Sequence, residues 1–206
     1  RADFSLLIFN QLINLAAKYK YMFGGLFEVP MLIRLVIGRS WGQGAQHSQS
    51  FQSMFAHVPG LEVIMPSTPQ DVIETYRHAR KYHKGPVVSL EHRLMYDIDF
   101  EHNENNAFSS SNPFGSKIVM SGSDVTIVAT SIMVLEAKRA AKFLEAEGIN
   151  VEIIDLVSPT NPDINLIINS LRKTKRLIVA DTSWLQYGVA AEICRLVMQK
   201  DPGLLE

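Results

Sequence analysis

An α/β architecture of two doubly wound units, each built on a mostly parallel sheet, is what the sequence predicts. Three observations carry it: short β-branched apolar runs, amphipathic helical stretches alternating with them, and one long polar interruption that divides the pattern. Parallel strands need a crossover, and the alternation supplies a helix for each one. Of the 206 residues, 47% are hydrophobic and 20% charged, which is enough apolar material for cores and too much for a disordered chain.

In chain order, Ser5 to Met22 reads as a helix that is apolar round most of its circumference. Asp3 or Ser5 is its candidate cap and Gly24-Gly25 its stop. Such a helix is expected to be buried on several sides, against other parts of the molecule or another chain. Val29 to Ile37, interrupted only by Arg34, reads as an interior strand. A loop rich in glycine and polar residues follows, from Gly38 to Gln49. Ser50 to His57 is a short helix closed by Pro59-Gly60, and Leu61 to Met65 is the next strand. Ser67-Thr68-Pro69 opens a helix with a capping hydroxyl, an early proline and Asp71 in the first turn. That helix runs to about His83, and Lys84-Gly85 turns the chain into the strand Pro86 to Leu90.

From Arg93 to Lys117 periodicity disappears, and Asn103 to Asn106 and Ser109 to Pro113 mark a linker or surface crossover. The pattern then restarts with a strand at Asp124 to Thr130. A helix at Val134 to Glu147 follows, with Ala137, Ala140, Ala141 and Leu144 on one face, and then a strand at Val151 to Leu156. Asn161-Pro162-Asp163 opens a helix through Leu171, Arg176 to Ala180 is a strand, and Gly188 to Met198 a final helix. The expected division is therefore 1–98, a linker at 99–117, and 118–206. The first unit shows three strands, where about five or six are usual, and the second stops at Pro202-Gly203-Leu204. Both units are expected to be truncated.

Net charge is -1 and there is no Lys/Arg stripe, so no nucleic-acid partner is expected. The longest apolar patch, Leu6 to Ala17, is broken by Asn10, Gln11 and Asn14 and falls short of the roughly 20 residues of a membrane span. Cys194 is the only cysteine, which excludes an internal disulfide and suits a reducing compartment. His57, His78, His83, His92 and His102 show no metal-ligand spacing and read mostly as surface groups. Arg77, Arg80, Lys81 and Lys84 read as a solvated basic helix end, and Met54 and Phe55 as core. Trp184 and Tyr187 suit a subunit interface as well as a ligand contact.

In an open parallel sheet, ligands bind in the loops at the carboxyl ends of the strands. The loop after Val29 to Ile37 is the richest candidate, because its glycines permit positive φ and close approach to a ligand. His47 stands there among Gln46, Ser48 and Gln49, which are able to fix its tautomer. The glycines match neither the dinucleotide fingerprint nor the P-loop, so spacing alone leaves a solvated loop histidine and a functional one equally open.

The segment Gly42 to Ser50, continued by Phe55-Ala56-His57-Val58-Pro59-Gly60-Leu61, resembles the active-site segment of the beta subunits of 2-oxo acid dehydrogenases. Those are the thiamine-diphosphate-dependent decarboxylating components of the pyruvate, branched-chain and acetoin type. Gln11 to Asn14, Leu90 to Arg93 with Tyr96, Ser123 to Ser131 and Gly188 to Ile193 resemble further parts of that family, so the likeness runs nearly end to end. It implies a transketolase-like pyrimidine-binding domain followed by a transketolase C-terminal domain. It implies oxidative decarboxylation of a 2-oxo acid and reductive acylation of a lipoyl domain on the acyltransferase core. By the same likeness His47 is the active-site histidine, and Phe4 packs against the aminopyrimidine of thiamine diphosphate. An alpha subunit, in an alpha/beta heterotetramer, would hold the diphosphate and its Mg²⁺. The implied compartment is the bacterial cytoplasm or the mitochondrial matrix.

Three departures accompany the likeness. The family's activating glutamate is expected before Arg1, so this chain alone is expected to be inactive. Tyr82 and Lys84 stand where family members place potassium ligands, and Asp155 to Thr160 lacks the arginine usual after the leucine. No metal is therefore expected on this chain. Transketolase and deoxyxylulose-phosphate synthase share the fold and cofactor but frame the histidine differently, and a non-catalytic assembly fragment is the remaining alternative.

Overall fold

The computed structural model describes residues 1–39, 42–100 and 112–204. The expected single N-terminal helix has three pitches: a 3-10 helix over Ala2–Ile8, a π-helix over Asn10–Ala16 and the short helix α1 over Tyr19–Met22. The π turn has a packing reason. Leu12 and Ala17 are five residues apart, and a wider turn, with Ala17 N–H donating to the Leu12 carbonyl, puts both in the core. The rest of the segment departs from the expected burial, since Leu7 is 82% and Tyr21 89% exposed, and Leu6, Ile8, Met22 and Leu26 also face outward.

Strand β1 (Leu32–Ile37) leads into the glycine-rich loop, and α2 (Gln52–Ala56), β2 (Glu62–Ile64), α3 (Pro69–Tyr82) and β3 (Val87–His92) complete the first unit. The strands are all parallel in the order β1-β3-β2, with Leu35 opposite Leu90 and Ile64 opposite Ser89. α3 starts where its cap requires, with Asp71 N–H donating to Thr68 Oγ1 at 3.1 Å. Ile37, Phe55, Val63, Met65, Val88 and Leu90 form the core under β1 and β2, and burying side chains of that size stabilises the fold by about 1.5–3 kcal/mol each. Phe55 is core as expected, but its neighbour Met54 is exposed because the two point to different faces of α2.

The second unit runs β4 (Lys117–Met120), β5 (Val125–Ala129), α4 (Ile132–Ala146), β6 (Val151–Asp155), α5 (Ile164–Thr174), β7 (Leu177–Ala180) and α6 (Val189–Lys200). Its order is β4-β6-β5-β7, parallel except for β4, an antiparallel edge strand that the sequence pattern did not reveal. A four-residue edge strand, only partly buried, leaves little alternation to read. α4 buries Val134, Ala137 and Ala141, whereas Ala140 faces solvent. α5 is capped by Asp163, whose Oδ1 accepts from Leu166 N–H at 3.0 Å. Ile167, Leu171, Ile193 and Val197 of α5 and α6 pack on Val128 and Ile154. The central part of the expected linker, 101–111, and His102 with it, lies outside the described residues.

The two units meet through the carboxyl ends of their strands. Beyond β2, Met65 N–H donates to the Val157 carbonyl at 2.7 Å and Ser67 Oγ donates to Asp155 Oδ2 at 2.5 Å. The buried Glu62 carboxylate accepts from Ser158 (2.5 Å), Thr160 (2.7 Å) and Asn161 (2.5 Å). The fully buried Gln52 donates to Asp181 Oδ1 at 2.7 Å, just past β7. Val157 holds φ +50 at this seam, a conformation unfavourable for a β-branched residue, and it aims a carbonyl at Met65.

Candidate active site

With the carboxyl ends of β2, β6 and β7 engaged at the seam, the glycine-rich loop at the end of β1 lies outside it. Gly38 begins that loop at φ +80, and a Cβ there would lie 2.0 Å from Nε2 of His92. His92, expected at the surface, is instead the buried floor of the loop. Burial, with the nearby cations Arg1 and Arg39, pushes its imidazole below the ordinary value, and Nδ1 accepts from Leu94 N–H at 3.3 Å. It is a neutral packing group. Gly42 and Gly44 also hold positive φ, but a Cβ at either would meet open space. Their glycine requirement is conformational, and no close approach to another group accounts for it.

The loop ends in a 3-10 turn over Gln46–Ser48, so His47 projects from a tight bend. The structure brings it against the first turn of the chain. Its Nδ1 lies 2.9 Å from Asp3 Oδ2, and its ring stacks on Phe4 with centroids 5.6 Å apart and an interplanar angle of 26°. Arg1 donates to the carbonyl of Gly38 at 2.7 Å and to the carbonyl of His47, tying both ends of the loop to one guanidinium. The His47 side chain is 35% exposed and the Asp3 side chain 5%. Phe4 is 57% exposed. The two residues singled out from sequence are therefore neighbours that share an open surface. Asp3, read from sequence only as a possible helix cap, was missed as a partner of His47. Nothing local signals a contact between residues 44 positions apart.

Thiamine diphosphate was the implied cofactor, and the surface fits one part of it. An exposed aromatic face beside a part-exposed imidazole suits stacking by a pyrimidine-like ring with a proton-transferring group at its edge. The carboxylate at this surface, Asp3, is committed to His47, so it is not the activating acid the likeness calls for. No group of three metal-ligating side chains occurs among the described residues, and no helix among them is long and apolar enough to cross a membrane.

Comparison with known proteins places the fold in a family. Residues 2–99 match the transketolase pyrimidine-binding domain and residues 115–202 the transketolase C-terminal domain. The chain is 38% identical to the beta subunit of acetoin:2,6-dichlorophenolindophenol oxidoreductase of Cupriavidus necator, covering 99% of this chain and 60% of that one. It is 41% identical to the mitochondrial pyruvate dehydrogenase E1 component subunit beta of Bos taurus, covering 96% and 55%. A solved structure titled split gene transketolase, inactive beta4 tetramer, superposes with a TM-score of 0.76 at 25% identity, over 98% of this chain and 62% of that one. The chain thus spans a little over half the length of these curated relatives.

Proposed function

Because this chain belongs to the transketolase-like family that includes the beta subunits of pyruvate dehydrogenase E1 and of the acetoin oxidoreductase, we propose that its parent protein is such a beta subunit. In this reading it works with an alpha subunit in the oxidative decarboxylation of a 2-oxo acid and the acylation of a lipoyl domain. One observation carries the reading. Phe4 and His47, from the start and the middle of the pyrimidine-binding half, form a single open surface at the end of β1.

The chain's own residues have separable tasks. The exposed face of Phe4 would stack the aminopyrimidine ring of thiamine diphosphate. His47 takes up or delivers a proton at the reacting substrate, a part suited to an imidazole near neutral pH. Arg1 and the floor of His92 keep the loop in place. When bound, the cofactor supplies the carbon chemistry of decarboxylation, and the protein supplies orientation and proton management. The diphosphate and Mg²⁺ are assigned to the alpha partner, and the chain alone is expected to be inactive. The compartments implied are the bacterial cytoplasm or the mitochondrial matrix.

The parent protein, co-expressed with its alpha partner, is expected to acylate a lipoyl domain from a 2-oxo acid, dependent on thiamine diphosphate. His47→Ala should lower that rate by about 100-fold or more while the variant still folds, at a lower unfolding midpoint because Asp3 loses its partner. Undiminished acylation in this variant would remove His47 from the machinery.

A further inference from the structure

We propose that Asp3 is the positioning residue of His47, holding the imidazole as its Nδ1–H tautomer so that Nε2 is the atom left to exchange protons at the open surface. Three of the first four residues hold one histidine, each by a different feature: Asp3 the ring edge, Phe4 the ring face and Arg1 the backbone carbonyl. The edge contact sets the chemistry. An ionised carboxylate has no proton to donate, so at 2.9 Å from Oδ2 it is Nδ1 that carries the hydrogen. Gln46 Nε2 reaches the same oxygen only at 3.5 Å and does not compete for it.

The surroundings of Asp3 differ from those of a carboxylate placed for stability. Its Oδ1 is buried and has no partner among the described residues. At the seam, by contrast, Asp155 has both oxygens served, by Val157 N–H at 3.0 Å and Ser67 Oγ at 2.5 Å. A carboxylate that merely tied the first turn to the loop would be expected to use both oxygens. Asp3 instead directs one oxygen at the imidazole. The charged or titratable groups nearby include Arg1, which binds the loop carbonyls, Arg39, which lies close to His92, and His92 itself, whose Nδ1 is occupied by Leu94. Nδ1 of His47 is bonded to Asp3.

The decisive measurement is long-range ¹⁵N–¹H correlation on this 206-residue chain, labelled at histidine and recorded where the imidazole is neutral, with His47 assigned through His47→Gln. Nδ1–H is expected for His47 in the unchanged chain, and mainly Nε2–H, the intrinsic preference of imidazole, in Asp3→Ala. Asp3→Glu should restore part of the Nδ1–H population. Nε2–H in the unchanged chain overturns the inference even if Asp3→Ala does not fold, and so does an unaltered Nδ1–H in a folded Asp3→Ala. The functional consequence rests on the reading of His47 given above. In the parent protein with its alpha partner, Asp3→Ala should lower acylation at least about tenfold, with KM for the 2-oxo acid unchanged and no further loss when added to His47→Ala. If His47→Ala leaves acylation intact, the functional reading fails, whereas the tautomer alone decides the role of Asp3.

Discussion

The loop at the end of β1 and the seam between the two units are built from similar materials, buried carboxylates and small polar side chains, yet they treat their carboxylates in opposite ways, although Gln52 Oε1 at the seam is also buried without a partner among the described residues. At the seam, Glu62 gathers Ser158, Thr160 and Asn161, and Asp155 has both oxygens bonded. At the loop, among the described residues, Asp3 keeps an oxygen unserved beside a part-exposed imidazole, and Arg1 has buried guanidinium nitrogens without partners. Satisfied polar networks stabilise a docked geometry, whereas unsatisfied ones cost stability and are kept where chemistry needs them. On the proposed reading, the difference separates the part of the molecule that holds the units together from the part placed to act.

The largest effect is expected inside the loop. Gly38→Ala combines a disfavoured φ with a Cβ placed in the His92 ring, and should destabilise by roughly 3 kcal/mol or more. Gly42→Ala, which has only the backbone penalty, should cost about 1–2 kcal/mol. Equal urea midpoints for the two variants would show that His92 does not support the loop. Next comes the seam. Glu62→Ala strands three donors that reach across it and should cost about 2–3 kcal/mol, read by urea denaturation, with no change in the His47 tautomer.

The pH dependence of the seam follows in size. Burial, reinforced by the neighbouring Asp71 carboxylate, pushes Asp155 up to about 6. An unfolded aspartate releases its proton near 3.9, so between those values the folded chain binds more protons and stability falls as pH rises, by about 2–3 kcal/mol in all. That contribution is fully present below pH about 4 and is lost as pH passes about 6. Asp155→Asn should flatten the change in urea midpoint between pH 4.5 and 7.5, and an undiminished slope would move its origin elsewhere. Glu91 acts in the opposite sense. Burial raises its carboxyl, but hydrogen bonds from Arg34, Tyr76 and Tyr96 outweigh that and hold it below its ordinary value. Its stabilisation is present at neutral pH and lost only in acid, outside the range tested, whereas His92 and His83, held below the ordinary histidine value by burial, add a slope of opposite sign that the Asn variant leaves in place. The smallest effect belongs to the outer surface: Leu7→Ser should change unfolding free energy by less than about 0.5 kcal/mol, whereas self-association seen by sedimentation should weaken if this apolar face drives it.

Local pattern made much of this legible. The strands Val87–His92, Val125–Ala129 and Val151–Asp155 and the caps Thr68 and Asp163 lie within a residue or two of where periodicity and capping chemistry put them, because those signals act over one turn or one pleat. The N-terminal helix shows where pattern stops. Its all-round apolarity reads as burial, yet within this chain it covers only one side, through Ala2, Leu12 and Ala17. Periodicity reports which residues avoid water, and it does not say which molecule covers them.

The amino-acid sequence alone determined the alternating α/β elements and the glycine-rich loop after the first strand, since each rests on chemistry spaced within a few residues, whereas Phe4 and a functional His47 were candidates through the family resemblance. Tertiary structure alone decided that Asp3 faces His47, that His92 lies under Gly38 and that the seam takes the carboxyl ends of β2, β6 and β7. Those contacts join residues 44 to 129 positions apart, where strand pairing within a sheet and docking of one unit on the other, and no local spacing, set the distance.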